Sequence, residues 1–311
     1  MNSGIHISHI SKSYGSVKAL QDISLDIQQG ELFGLIGPDG AGKTTLFRIL
    51  TTLLLPDDGE ASVYNWNVRT HLTEIRSNVG YMPGHFSLYQ DLTVEENLSF
   101  FATLFHTSLA ESYDIIRDIY VQIEPFRKRR AGKLSGGMKQ KLALCCALIH
   151  RPKVLLLDEP TTGVDPVSRS EFWDILERLK QQGITILVST PYMDEACRCD
   201  RIALIRSGQC LTIDTPEAIR KAFPHTLYSV QGSSMFALLK DVRTYPNTLS
   251  CYAFGNAHHL TLKGEEDTQR LIAFLQTKGY QDVSIHPIEP SIEDCFMLMD
   301  PISEPTNNER R

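Results

Sequence analysis

The nine residues "GPDGAGKTT", Gly37 to Thr45, lie between an apolar run that reads as a strand, "ELFGLI", and a helix that starts near Lys43 and is stopped by Pro56. The pattern G-x-x-x-x-G-K-[ST] at a strand-to-helix junction has a mechanical meaning. Glycines let the backbone wrap close to a polyphosphate, so that main-chain N–H groups point at its oxygens. The N-terminus of the following helix adds partial positive charge. Lys43 can reach the β- and γ-phosphates, and Thr44 can ligate Mg²⁺. A glycine-rich turn without function is the bland alternative, and the flanking strand and helix argue against it.

A second stretch supplies carboxylates. "VLLLDEP", Val154 to Pro160, is a continuous apolar run ending in two acids, the pattern of a strand buried on both faces of a parallel sheet. Asp158 at its carboxyl end is placed to hold Mg²⁺, and Glu159 to orient an attacking water or accept its proton. About twenty residues upstream, "LSGGMKQ", Leu134 to Gln140, opens a helix with Ser-Gly-Gly, another anion-binding nest. One chain then carries two separate phosphate-binding surfaces, which makes sense if each completes a site on a partner.

Composition narrows the class. The chain has 311 residues, 42% hydrophobic and 22% charged, with a net charge of −6. That is an ordinary core-forming composition, and the acidic balance argues against nucleic acid as a partner. The basic run Arg127-Lys128-Arg129-Arg130 reads as a solvated face or a contact with a membrane or partner. Seven cysteines, an odd number with Cys145 and Cys146 adjacent in an apolar helix, do not form a disulfide framework. The pair Cys197 and Cys199 lacks further ligands at zinc spacing. No signal peptide and no apolar run of spanning length is read, so work at a membrane requires a separate anchor.

Strands alternate with helices up to about residue 220, which indicates an α/β domain with a largely parallel sheet. Thr93 and Glu96 form a capping box, Ser135 caps the helix after "LSGG", and Asp165-Pro166 start a helix that ends before Gly183. Beyond Pro224 the order becomes strand, helix, hairpin at Gly255-Asn256, helix, strand, a βαββαβ unit closed by the helix "SIEDCFMLM". His258, His259 and His286 alternate with apolar residues and read as solvent-facing strand positions.

From "KSYGSVKAL" through "GPDGAGKTT", "LSGGMKQ", "VLLLDEP" and the following "DP", the ordered motifs resemble the ATP-binding subunits of ABC transporters over roughly residues 4–220. The branch most similar is the daunorubicin-resistance-like one of ABC-2-type multidrug exporters, whose accessory domain the "PSIEDCF" ending resembles. The resemblance implies a P-loop NTPase fold with a mixed sheet core, an antiparallel β subdomain and an α-helical subdomain, followed by a small α+β domain. In residues, this is a nucleotide-binding domain at 1–222 with its helical part at about 85–150, a ferredoxin-like unit at 225–300, and a disordered tail at 301–311. It implies that ATP and Mg²⁺ bind on Gly37, Pro38, Asp39, Gly40, Ala41, Gly42, Lys43, Thr44 and Thr45, with Tyr14 stacked on adenine. An aromatic at 14 equally serves packing. Thr44 and Asp158 would hold the metal, Glu159 and Lys43 the chemistry. Ser135, Gly136 and Gly137 would cap the γ-phosphate of the other protomer, and Asp165 would lie in the loop between the two sites.

Two positions depart from that family. A Gln expected after the strand "VGYMP" is Gly84, and a His expected after "VST" is Pro191. Proline cannot donate a hydrogen bond, although it fits the first turn of a helix with Thr190 as N-cap. The site is therefore expected to bind MgATP and hydrolyse it slowly. The expected assembly, on the cytoplasmic face of the inner or plasma membrane, contains ABC-2-type permeases and a second ATPase subunit carrying the missing groups. A homodimer with two slow sites and a near-silent regulatory subunit are the alternatives.

Overall fold

The computed structural model describes residues 3–264 and 268–299. It divides into two compact units between Pro216 and Glu217. In the first, β1 (Ser3–Tyr14) and β2 (Val17–Gln28) form a long hairpin, and β3 (Leu32–Ile36) runs into the loop before α1 (Lys43–Leu50). There follow β4 (Asp58–Val63), β5 (Trp66–Asn67), α2 (Leu72–Asn78) and β6 (Val79–Met82). Helices α3 (Val94–Leu104), α4 (Leu109–Tyr120) and α5 (Gly136–Leu148) come next, then β7 (Val154–Asp158), α6 (Pro166–Gln181) and β8 (Thr185–Thr190). The unit closes with the hairpin of β9 (Arg201–Arg206) and β10 (Gln209–Asp214), and α7 (Pro216–Lys221) begins at its end.

Two sheets enclose the core. One is antiparallel, ordered β2-β1-β4-β5; the other is six-stranded, ordered β10-β9-β3-β8-β7-β6, with every pairing parallel except β10 with β9. Alternation explains the first sheet: Ile5, Ile7, Ile23, Leu25, Ile27, Ala61 and Val63 turn one face inward onto α1, whose Phe47 and Leu50 are fully buried. All residues of β3, β7 and β8 are buried, as a parallel sheet covered on both faces demands.

The helical segment is held by local chemistry. Capping boxes start α3 (Thr93 with Glu96) and α4 (Ser108 with Glu111), and Ser112 of α4 donates its hydroxyl to Ile149 O at 2.6 Å, beyond the end of α5. Cys145 and Cys146 are buried in α5, where burial drives both thiols far above their ordinary range and leaves them inert.

In the second unit, β11 (Leu227–Gln231), α8 (Met235–Thr244), β12 (Thr248–Phe254), β13 (Ala257–Leu262), α9 (Thr268–Thr277), β14 (Ser284–Ile288) and α10 (Ile292–Leu298) follow in order. Their antiparallel sheet has the order β12-β13-β11-β14, with Val230, Leu238, Leu260, Leu271 and Leu275 in its core. Here one sequence expectation fails. His258 is buried, its Nε2 donating to Met235 O at 2.7 Å, and His259 is mostly buried against Asp294 at 2.7 Å. His286 stays exposed. The expected disordered tail lies outside the described residues.

Phe47 of α1 is fully buried in the core shared by the two sheets. Phe47→Ala is expected to cost about 3–5 kcal/mol, against a change within about 0.5 kcal/mol for Val167→Ala at an exposed helix position. Denaturant unfolding followed by circular dichroism measures both.

Candidate functional site

The register of the parallel sheet assembles the site. Ile36 lies opposite Thr190, and Asp158 opposite Ser189, so the loops after β3, β7 and β8 leave the same edge side by side. Gly37 N donates to Thr190 O at 3.3 Å, and a Cβ at 37 would meet Ile205 O at 2.1 Å, so no other residue fits. Gly42 stands at φ 105°, where a Cβ would fall 2.3 Å from Ala19 O. The backbone of the loop is thus wrapped tightly around its hollow. The first N–H groups of α1, which lack intrahelical acceptors, open that hollow.

Lys43 is 3% exposed. Its ammonium donates to Gly37 O (2.8 Å) and Pro38 O (3.0 Å) and lies 3.0 Å from Glu159 Oε1. A buried cation turned onto the loop's own carbonyls can exchange these partners for phosphate oxygens. The cleft beside it, about 690 Å³, is lined by Tyr14, Lys18, Asp39, Gly40, Ala41, Gly42, Thr44, Thr45 and Glu159. Tyr14 is half exposed at this cleft, free of the core.

Asp158 is buried and accepts the Ser189 hydroxyl at 2.6 Å. Together with the Thr44 hydroxyl, these are hard oxygen donors of the kind Mg²⁺ takes when phosphate and water supply the remaining ligands. No cluster of three or more His, Cys, Asp or Glu suited to a metal exists among the described residues. Glu159 adopts φ 51°, an unusual conformation for a non-glycine residue, and its N–H donates to Ser189 O (3.1 Å) and Oγ (3.0 Å). Tyr81, pushed up to about 12 by burial and then by the Asp158 charge, stays protonated beside it.

Positions 84 and 191, where a Gln and a His were expected from the resemblance, lie at the same sheet edge. A Cβ at Gly84 would sit 3.2 Å from Asp158 O and 3.8 Å from Asp158 Oδ2, so a side chain at 84 would extend from beside the carboxylate. His85 lines a different cavity, between α2, β6, α3 and α5. Pro191 follows β8, but the helix after it is a 3-10 turn, Met193–Arg198, with Tyr192 as N-cap. The expectation that Thr190 caps a helix with Pro191 in its first turn is corrected. Thr190 Oγ1 instead accepts from Tyr192 N at 3.0 Å, a tight turn two residues long, and donates to Glu195.

Ser135 caps α5, accepting from Met138 N at 3.4 Å, and Gly136 and Gly137 pack against the next loop; a Cβ at 137 would meet Ser168 Oγ at 2.8 Å. Asp165 caps α6 through Ser168 N at 3.0 Å, a bond that holds its carboxyl below the usual range. None of these four lines the cleft at Lys43. Sequence reasoning overlooked Ser189 and Tyr81; the hydroxyl ending "LVST" was the available signal.

The ABC transporter family model matches residues 20–162. Over 283 residues, 90% of this chain, the sequence is 38% identical to the probable multidrug ABC transporter ATP-binding protein YbhF of Escherichia coli (strain K12). The chain spans about half the length of that relative, 48%. It is 32% identical over 306 residues to the Nod factor export ATP-binding protein I of Rhizobium sp. (strain N33), covering 95% of this chain and 96% of the relative. Among solved structures, cbiO1 of Clostridium perfringens, part of the ABC transporter complex cbiONQ, superposes with a TM-score of 0.64 at 26% identity, covering 71% of this chain and 92% of that one. A dimeric ATP-binding cassette in a post-hydrolysis state with ADP and Pi gives a TM-score of 0.62 at 26% identity, covering 68% of this chain and 98% of that one. Glycine loop, paired acids and the sheet that aligns them therefore have one common reading: this chain belongs to the ABC transporter family, as an ATP-binding cassette.

Proposed function

We propose that this chain is the ATP-binding subunit of an exporter and that its own site binds MgATP but hydrolyses it slowly. The relatives named for multidrug transport and Nod factor export support the export direction. The observation that carries the slow-site reading is the pairing of an intact Lys43–Asp158–Glu159 constellation with a glycine beside Asp158 and a proline after Thr190. Mg²⁺, when bound through Thr44 and Asp158, supplies charge neutralisation on the phosphate oxygens.

The chain's own residues divide the work. Lys43 and the loop from Gly37 to Thr45 grip the phosphates, Tyr14 takes the base, and Glu159 receives the proton of the attacking water. Absent are a donor from position 84 to the metal and water, and a donor from position 191 to the terminal phosphoryl. A preorganised donor of this kind is worth about 10²–10³ in rate. Ser135, Gly136 and Gly137, away from the cleft, remain available to complete a partner's site, with Asp165 between the two. This favours a heterodimer with a second cassette that carries the missing groups.

No helix among the described residues is long and apolar enough to cross a membrane, so ABC-2-type permease subunits would hold the chain at the cytoplasmic face. Their coupling segment would dock in the cavity of about 690 Å³ lined by Leu53, Tyr81, Phe86, Phe101 and Leu104. The 217–299 region would act as a ferredoxin-like accessory unit for contact or regulation. A second reading, a near-silent regulatory subunit, is disfavoured by Glu159, which such a subunit has no need to keep.

Two measurements test this. Restoring both groups with Gly84→Gln and Pro191→His is expected to raise steady-state ATP turnover by at least tenfold, with Glu159→Gln abolishing the gain; brisk turnover by the unmodified chain alone would end the slow-site reading. Lys43→Ala should weaken MgATP about 10- to 100-fold in equilibrium dialysis, as expected for loss of a charge-assisted contact of about 1.5–3 kcal/mol.

A further inference from the structure

Glu195 is a carboxylate only 3% exposed, outside the phosphate cleft and assigned no role above. Burying a charge is expensive, and an apolar residue of similar size would fill the space at lower cost. Its contacts suggest what it is kept for. Oε2 accepts the hydroxyls of Thr161 (3.1 Å) and Thr190. Oε1 has no hydrogen-bond partner but lies 3.8 Å from Nε of Arg169, whose guanidinium sits 4.9 Å over the Tyr192 ring and bonds Asp194.

Each of those hydroxyls belongs to a different working loop. Thr161 follows Glu159 by two residues, and Thr162 N closes the same turn by donating to Glu159 O at 3.2 Å. Thr190 ends β8, accepts Gly37 N of the phosphate loop on its carbonyl and Tyr192 N on its hydroxyl, and immediately precedes Pro191. Arg169, in the first turn of α6, brings the start of that helix to the same cluster through its Nε, 3.8 Å from Glu195 Oε1. Both threonines are buried, at 1% and 0% exposure, so water cannot replace the carboxylate as their partner.

Glu159 itself needs such support. Its φ of 51° is unfavourable for a residue with a Cβ, and such a conformation persists only where the surroundings over-determine it. Ser189 holds it from one side; the Thr161 bond anchors the other end of the turn. We infer that Glu195 is a positioning residue for hydrolysis: through Thr161 and Thr190 it fixes the Glu159 turn against the end of β8. It thereby sets the geometry of a site in which residue 191 donates nothing.

The inference rests on the reading of Lys43 and Glu159 as a hydrolytic site, yet its test is a ratio to wild type and holds whether the absolute rate is slow or fast. The full chain and Glu195→Ala, Glu195→Gln and Thr161→Val variants are compared in kcat at saturating MgATP, in Kd for MgATP, and in thermal midpoint. Glu195→Ala and Thr161→Val are expected to lower kcat on the order of tenfold, as a misplaced catalytic group does, with Kd within about twofold of wild type because the phosphate grip is untouched. Glu195→Gln, whose amide oxygen can still accept both hydroxyls, should retain most of the rate. Thr161→Val removes one hydroxyl without changing shape, so it serves if Glu195→Ala fails to fold. Unchanged kcat in Thr161→Val, or equal losses in kcat and affinity that track the thermal midpoint, would overturn the assignment and leave Glu195 as packing alone.

Discussion

Parallel pairing of β3, β8 and β7 in one register is the constraint from which the site follows. Because Ile36 faces Thr190 and Asp158 faces Ser189, three chemically distinct loops emerge at one edge within hydrogen-bond reach. A slip of one residue in β7 would turn Asp158 to the opposite face of the sheet and separate it from Ser189. The register is pinned by burial: every residue of these strands is inaccessible, so no shift can occur without exposing apolar surface or burying a loop polar group.

That constraint also explains how strain and charge are tolerated. Lys43 is buried because three oxygens surround its ammonium, two of them carbonyls of the loop it belongs to. Glu159 occupies a left-handed backbone conformation because Ser189 supplies two acceptors for its N–H from the neighbouring strand. Neither residue would be stable in its place on an isolated loop. Each is held by the strand next door, which means the chemistry is a property of the sheet edge rather than of a motif.

Much of this was legible in the sequence because it was local. Strand-turn-helix signals framed Gly37–Thr45, the caps at Thr93, Ser135 and Asp165 could be read from residue spacing, and all three caps are made as read. What failed was non-local. His258 alternates like a surface residue, yet it lies inside because Met235 O of α8 takes its Nε2. The Pro191 turn was misread because Thr190 Oγ1 has competing uses: Tyr192 N and the buried Glu195 claim it before a helix can. Ser189 and Tyr81 carry no motif of their own; they matter only because β8 and β6 flank β7.

The two positions that the resemblance sets apart, 84 and 191, differ in kind. At Gly84 there is space for a side chain: the one tight contact of a Cβ would be Asp158 O at 3.2 Å, which a few tenths of an ångström relieves. Pro191 offers neither a donor side chain nor an N–H, and the turn around it is built on the Thr190 hydroxyl. The first leaves the carboxylate edge open; the second sits within a tightly bonded turn. Thr190, Glu195 and Thr161 form a buried, hydrogen-bonded set around the second. The conformation of the turn at 191 is therefore set by the Thr190 hydroxyl and the carboxylate it bonds, independently of the side chain that position 191 presents.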